Sequence, residues 1–255
     1  MFNGFQQTGQ SILTFSPNNL TYGFPANAFS ANTLPIVTTG IAAWWTAQSG
    51  VSLSGSNVTS WVDLIGGYNM QPTTAAPTYN TANTAVRSYP SLGFTSTQNL
   101  SAGNILNIGT NAGFTVVAVV NLTSAYVFLS KSTAISDTTA GCWSLQNYQS
   151  NVYFTYGRGG GYTQIATPST TGVAVITAIV DRIKGLVWCY VNYASTSGAI
   201  TATLSNVTPA APLTINGVIG GGYSPVIMDV IMYNKALTRD QVNQNVTYFK
   251  SKYGF

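Results

Sequence analysis

The chain has 255 residues, of which only 5% are charged: nine Lys and Arg, five Asp, and neither Glu nor His. Soluble proteins average roughly 25% charged residues; here Thr, Ser, Asn, Gly and Tyr carry the polarity instead. The net charge of +4 is scattered, which excludes the Lys/Arg stripe that nucleic-acid binding requires, and the absence of His removes the usual base for a Ser or Cys nucleophile.

This length suits one large β domain, or a smaller domain with an arm. Residues 1–37, punctuated by Pro17, Pro25 and Pro35, show no helical period and read as an extended arm with a short strand near Ser11–Phe15. Phe2, Phe5, Phe15, Tyr22, Phe24 and Phe29 are spaced along it, either as anchoring residues for a groove on a neighbour or to pack over the arm's own domain. The first ten residues, MFNGFQQTGQ, lack the basic and apolar stretches of a secretory signal. No apolar run reaches the length of a membrane span.

From residue 38 onward β signals dominate. AAWWTA (42–47) and VTSWVDL (58–64) read as strands, Gly66-Gly67 as a break, and residues 71–90, with Pro72, Pro77 and Pro90, as loop. SLGFTS (91–96) begins another strand. GFTVVAVVNL (113–122) is a buried-strand run, with AYVFLSKS (125–132) as its expected hairpin partner. CWSLQNY (142–148) and NVYFTYGR (151–158) form a second hairpin, followed by a Gly159–Gly161 turn. VAVITAIVD (173–181) and GLVWCYVNY (185–193) flank the turn Arg182–Lys184; AITATLS (199–205) and LTINGVIGGG (213–222) follow. The last strand, 227–233, enters a helix over 238–252. Thr238 is its N-cap, Gln241 completes a capping box, Val242, Val246 and Phe249 make one apolar face, and Gly254 stops it. About ten strands separated by turn residues predict an all-β fold: a two-sheet antiparallel β-sandwich, or jelly roll, over 38–255, with one short C-terminal helix. Cys142 and Cys189 both lie in strand-like runs and read as buried free thiols.

The order of these segments resembles the concanavalin A-like lectin/glucanase superfamily, and within it the laminin-G-like jelly rolls found in phage virion proteins. The resemblance rests on Trp61 and Asp63 before a Gly pair, on YPSLGFTSTQNL, on GFTVVAVVNL, on Asp181 with Tyr190 and Asn192 in VDRIKGLVWCYVN, and on the closing strand and helix. Tyr193 stands where the family often has Gly, and Asp229 where it often has Glu. The resemblance implies a β-sandwich, and it implies calcium in many members. Asp137 in SDTTAG is the best loop carboxylate for it, in a chain whose isolated aspartates make a weak site at most.

Glycoside hydrolysis needs two neighbouring carboxylates, and the five Asp, at 63, 137, 181, 229 and 240, are dispersed. GRGGGY and GGGY lack the Lys-Ser/Thr and helix of a phosphate loop. Glycan binding is left as the chemistry to expect, with Tyr148, Tyr156, Arg158, Tyr162 and Tyr223 near loops; Tyr153 and Trp188 read as core or interface aromatics. No cofactor, metal or catalytic residue is expected. Sparse charge favours assembly. Together with the resemblance it gives the expectation of a non-enzymatic protein located in a virion, in a capsid decoration, fibre or tail. That protein would be anchored by its arm to other virion proteins, homo-oligomeric, and turned toward host-surface glycan. A free carbohydrate-binding or adhesion module is the alternative, and a glycoside hydrolase the third.

Overall fold

Gly113–Asn121 reads GFTVVAVVN, and every residue but the last is buried. A β-branched run without polar alternation needs cover on both faces, so it belongs inside a sheet with material on each side. That is where this computed structural model, which describes residues 35–106, 113–122, 127–134, 137–200, 210–216 and 224–255, puts it.

In chain order the strands are β1 (Ile41–Thr46), β2 (Val51–Ser54), β3 (Asn57–Val62), β4 (Asn69–Met70), β5 (Thr78–Asn83), β6 (Tyr89–Gly93), β7 (Leu100–Ser101), β8 (Gly113–Asn121) and β9 (Val127–Lys131). They continue with β10 (Trp143–Tyr148), β11 (Asn151–Gly157), β12 (Tyr162–Pro168), β13 (Val173–Asp181), β14 (Leu186–Val191), β15 (Ala194–Ala199), β16 (Leu213–Ile215) and β17 (Val226–Tyr233), before helix α1 (Arg239–Tyr253). Among the described residues, the larger sheet runs β15-β14-β13-β8-β17-β6-β5-β3-β2, with β1 also beside β17 and β4 beside β3. The smaller runs β12-β11-β10-β9-β16-β7.

Alternation sorts the apolar side chains into two layers. Val116, Ala118 and Val120 of β8 and Ala178 of β13 meet Leu145 and Phe154 of the smaller sheet between the sheets. Val117 and Val119 of β8, Val175 and Ile179 of β13 and Ile231 of β17 face the other way, under Val242, Val246 and Phe249 of α1. The fold is the expected all-β jelly-roll sandwich of two antiparallel sheets with one C-terminal helix.

The closing strand fills both layers. Ile227, Val230 and Met232 face the inner core, while Met228, Ile231 and Tyr233 face the helix. Strict alternation forbids this set, and a register shift against β8 between Ile227 and Asp229 supplies the extra residue. The shift leaves Asp229 fully buried on the helix side. Its Oδ1 accepts from Trp44 Nε1 at 2.8 Å, and its Oδ2 accepts from the Tyr253 hydroxyl and from Lys252 Nζ at 3.2 Å. α1 begins at the expected capping box, Thr238 with Gln241, and ends at Gly254 in the left-handed region (φ 76°). Gly254 lies against Arg87, whose guanidinium donates to Ser251 O at 3.0 Å; a Cβ at Gly254 would overlap that side chain.

Several sequence expectations are corrected. The hairpin of 113–122 with 125–132 does not form: β8 lies between β13 and β17, whereas β9 lies between β10 and β16 in the other sheet. Both runs are interior strands whose two edges are taken, so nearness in sequence does not pair them. Residues 71–90 are not all loop, because they hold β5 and the start of β6. β5 is a polar, mostly exposed strand without apolar alternation, and Pro90 falls where its pairing with β6 is irregular. β2, β12 and β15 were not anticipated; all three are Thr/Ser-rich edge strands. The strand expected at 199–205 falls almost wholly outside the described residues, as does most of the arm. Ile36 and Val37 pack under α1, where Val37 N donates to Asn245 Oδ1 at 2.9 Å.

Asp229→Ala should cost about 3–5 kcal/mol, because it leaves a buried ammonium without its carboxylate. Asp240→Ala, at the exposed first turn of α1, should cost no more than about 1 kcal/mol. Urea unfolding of both variants decides: equal losses would show that Asp229 is not an anchor.

Candidate functional site

Sheet register locates the expected glycan residues. In β11, Val152, Phe154 and Tyr156 face the inner core, so Asn151, Tyr153 and Thr155 face outward. The pairings Tyr148↔Asn151, Gln146↔Tyr153 and Ser144↔Thr155 carry that outer face onto β10. Tyr153↔Ala166, Thr155↔Gln164 and Gly157↔Tyr162 carry it onto β12. Tyr148 and Tyr162 therefore stand on one face of the smaller sheet, 42% and 40% exposed. They lie at opposite ends of β11, roughly 20 Å apart at the usual strand rise. Half-buried Tyr153, which the sequence reads as a core or interface aromatic, stands between them on the outer face.

Tyr156 is corrected: it is 3% exposed and packs against Phe114 with ring centroids 6.2 Å apart. Its parity within β11, one residue away from an outward position, decides this. Arg158 lies past the end of β11, where its guanidinium donates to Tyr162 O at 3.0 Å and its N–H to Gly161 O at 2.8 Å. Both bonds lie within the turn that leads into Tyr162. Tyr223 and the arm residues Phe2, Phe5, Phe15, Tyr22, Phe24 and Phe29 lie outside the described residues.

The three tyrosines share a face with no charged residue on β10, β11 or β12. Gln164, exposed, donates to Thr155 Oγ1 at 2.9 Å, and Gln149 Nε2 donates to the Tyr148 hydroxyl at 3.1 Å. Toward the middle of the sheet the face is closed: Ser130, Ser144, Thr155 and Thr214 are buried, with Ser130 and Thr214 hydroxyls 3.0 Å apart. What is left is an uncharged strip along β11 and β12, with ring faces for stacking and amides and hydroxyls for hydrogen bonds.

The carboxylates do structural work. Asp63 accepts from the backbone of Ile65 and Gly66 at 2.8 Å and also from Tyr68 N. Asp181 accepts from Lys184 N at 3.0 Å. Asp137, the best loop carboxylate for calcium, takes Thr139 N on Oδ1 at 2.8 Å and Ser132 Oγ, Thr133 N and Thr133 Oγ1 on Oδ2. Burial acts to raise its pKa, but the hydrogen bonds from Thr139 and Thr133 outweigh this and hold it at about 2. Among the described residues no group of three or more His, Cys, Asp or Glu could hold a metal ion. A fixed cation is supplied by the chain itself. Lys131 is 1% exposed, and its Nζ donates to Asn104 Oδ1 at 3.0 Å, Ile105 O at 2.8 Å and Ala211 O at 2.9 Å. Burial lowers it to about 8. Cys142 and Cys189 are free and buried, each thiol pushed up to about 12 chiefly by burial. No helix among the described residues is long and apolar enough to cross a membrane.

No protein-family model matches the chain, and no curated protein matches it. Solved structures do. The receptor-binding domain of a botulinum neurotoxin C/D mosaic serotype superposes with a TM-score of 0.58 at 15% identity, over 82% of this chain and 51% of that one. The binding domain of botulinum neurotoxin DC in complex with SialylT gives 0.61 at 11% identity, over 83% and 52%. The structure titled "Cell entry of botulinum neurotoxin type C is dependent upon interaction with two ganglioside molecules" gives 0.58 at 14% identity, over 76% and 51%. The chain thus spans about half the length of the domains it matches. These comparisons overturn the expected virion location: the matched structures are toxin receptor-binding domains, not virion components. Sparse charge and an aromatic-studded arm describe how a surface associates, not where a protein resides. At these identities the likeness establishes the fold, a concanavalin A-like jelly roll.

Two measurements check the local chemistry. Neither cysteine should react with a maleimide at about pH 8 in the folded protein, and both should react in denaturant; fast labelling of either would show the core to be open there. Asp137 has a folded pKa of about 2 against 3.8 for the free group, so its stabilisation is present above about pH 4 and is lost as the pH falls toward 2. The stability gap between the wild type and Asp137→Ala should therefore close over that range; a gap independent of pH would show that the carboxylate is not the source.

Proposed function

We propose that this chain is a non-catalytic recognition module that binds glycan along the outer face of β11 and β12. The observation that carries the reading is the placement of Tyr148, Tyr153 and Tyr162 on one uncharged sheet face, with Asn151 and Gln164 beside them. A sugar offers a C–H-rich face to an aromatic ring and a rim of hydroxyls to amides. A flat strip with rings spaced over roughly 20 Å suits a chain of several units rather than one. Arg158 enters as the residue that holds the Tyr162 turn. The module of matched fold in complex with SialylT supports a binding rather than a hydrolytic role.

The test is a glycan array followed by titration of the best hit. Tyr148→Ala and Tyr162→Ala should each weaken binding by about five- to tenfold, the worth of one aromatic contact, while leaving the unfolding midpoint unchanged. Tyr156→Ala should instead lower stability by about 3 kcal/mol or more, as a core deletion does. An array without hits, or hits that survive both exposed-tyrosine changes, would remove this reading.

A further inference from the structure

We infer that the chain carries a second ligand site, on the larger sheet, which takes a sugar unit bearing a carboxylate. The site is a cleft of about 290 Å³ between β13, β14, β15 and the turn into α1, lined by Asp181, Lys184, Trp188, Tyr190, Ser195 and Arg239 among others. That volume is at the low end of the usual ligand-site range of about 300–1,000 Å³, so it holds one ring and not a chain.

Three features fix the chemistry. The first is the indole. Of the five tryptophans, Trp44, Trp45, Trp61 and Trp143 are at most 3% exposed. Trp188 alone is half-buried, on the sheet face away from the inner core, paired with Ile179 and Ser197. The second is charge. Asp181 is already matched: Lys184 Nζ lies 3.5 Å from its Oδ2 and 6.0 Å from the Trp188 ring centroid. Arg239 is exposed and, among the described residues, its side chain makes no hydrogen bond or ion pair, so the lining has one positive charge more than it has negative. The third is depth. Tyr190 is 5% exposed; burial raises its hydroxyl above the ordinary tyrosine range, opposed by the Arg239 guanidinium and by a hydrogen bond with Ser195. Arg239, Ser195 and Tyr190 line the same cleft, from its rim to its floor.

An indole face selects a ring, a guanidinium fork with parallel N–H donors selects a planar anion, and the hydroxyls of Ser195 and Tyr190 select a polyol. A sugar carboxylate joins all three. The site does not depend on the tyrosine strip, and the two can be tested separately, because Trp188 is a reporter that the strip lacks.

The experiment is a tryptophan-fluorescence titration with matched sugars: D-glucuronate against D-glucose, D-galacturonate against D-galactose, and glucose 6-sulfate and acetate as further probes. Acidic members should shift the emission saturably and bind at least about tenfold more tightly than their neutral partners. Arg239→Gln should abolish that preference without changing stability, Trp188→Phe should remove the signal change, and Tyr148→Ala should affect neither. Equal affinity within each pair, or an unchanged preference in Arg239→Gln, overturns the carboxylate assignment. So does binding of the sulfate alone. Acetate competing as well as the uronates overturns the sugar assignment. If no probe moves the emission, the cleft is not a sugar site, and the strip reading stands or falls on its own array.

Discussion

One carboxylate sets the relative positions of three elements. Removing Asp229 from water costs several kcal/mol unless its oxygens are met by donors. The donors come from β1 through Trp44, and from the last turn of α1 through Lys252 and Tyr253. Lys252 is buried too; burial lowers its pKa and Asp229 acts to raise it. Neither charge is tolerable alone, so the helix end, the first strand and the closing strand must arrive together. Because β17 lies beside β8, this fixes the helix over the centre of the larger sheet. Arg87 then holds the same helix end from the β5–β6 side through Ser251.

Much of this was legible in the residues. The two-layer architecture follows from long apolar runs such as 113–121 and 173–181, and the helix follows from Thr238, Gln241 and Gly254, each of which does locally what its chemistry suggests. The hairpins 143–148/151–157 and 173–181/186–191 were also readable from two strand runs joined by a short turn, although the same signal misleads at 113–122 and 125–132. Which interior strands pair is decided by the whole sheet, and no local signal separates β8–β9 from β8–β17. The mostly exposed strand Thr78–Asn83 is written largely in Thr and Asn, and looks like a loop. The site was half legible. The tyrosines were visible as a set, but their faces depend on parity: a single residue separates outward Tyr153 and Thr155 from inward Phe154 and Tyr156. Trp188 reads as a core or interface aromatic because its strand is otherwise apolar; only the sheet's outer layer and the turn before α1 show what stands open beside it.

The two sheets divide their outer chemistry. The smaller presents rings, amides and hydroxyls without charge along β11 and β12. The larger presents an indole among Asp181, Lys184 and Arg239 at the mouth of its helix. In a chain with only fourteen charged groups, this separation limits cross-talk: salt screens the second surface and leaves the first almost untouched. The Trp61–Asp63 and Tyr190–Asn192 segments that carried the family resemblance mainly organise turns. Asp63 gathers backbone donors before β4, and Asn192, at φ 54°, accepts from Val175 N at 3.0 Å.

Lys131 has a consequence of a different kind. Its ammonium sits among a side-chain amide oxygen and two main-chain carbonyls drawn from separate loops, the ligand types that a calcium ion would gather. A cation on a side chain does not leave its site as a bound metal ion can; it is lost only by giving up its proton, as the pH rises past about 8. It cannot be chelated, diluted away or exchanged for a competing ion, and it is installed as soon as the chain folds. Asn104, Ile105 and Ala211 are thereby held together by a charge that no change in metal-ion supply removes.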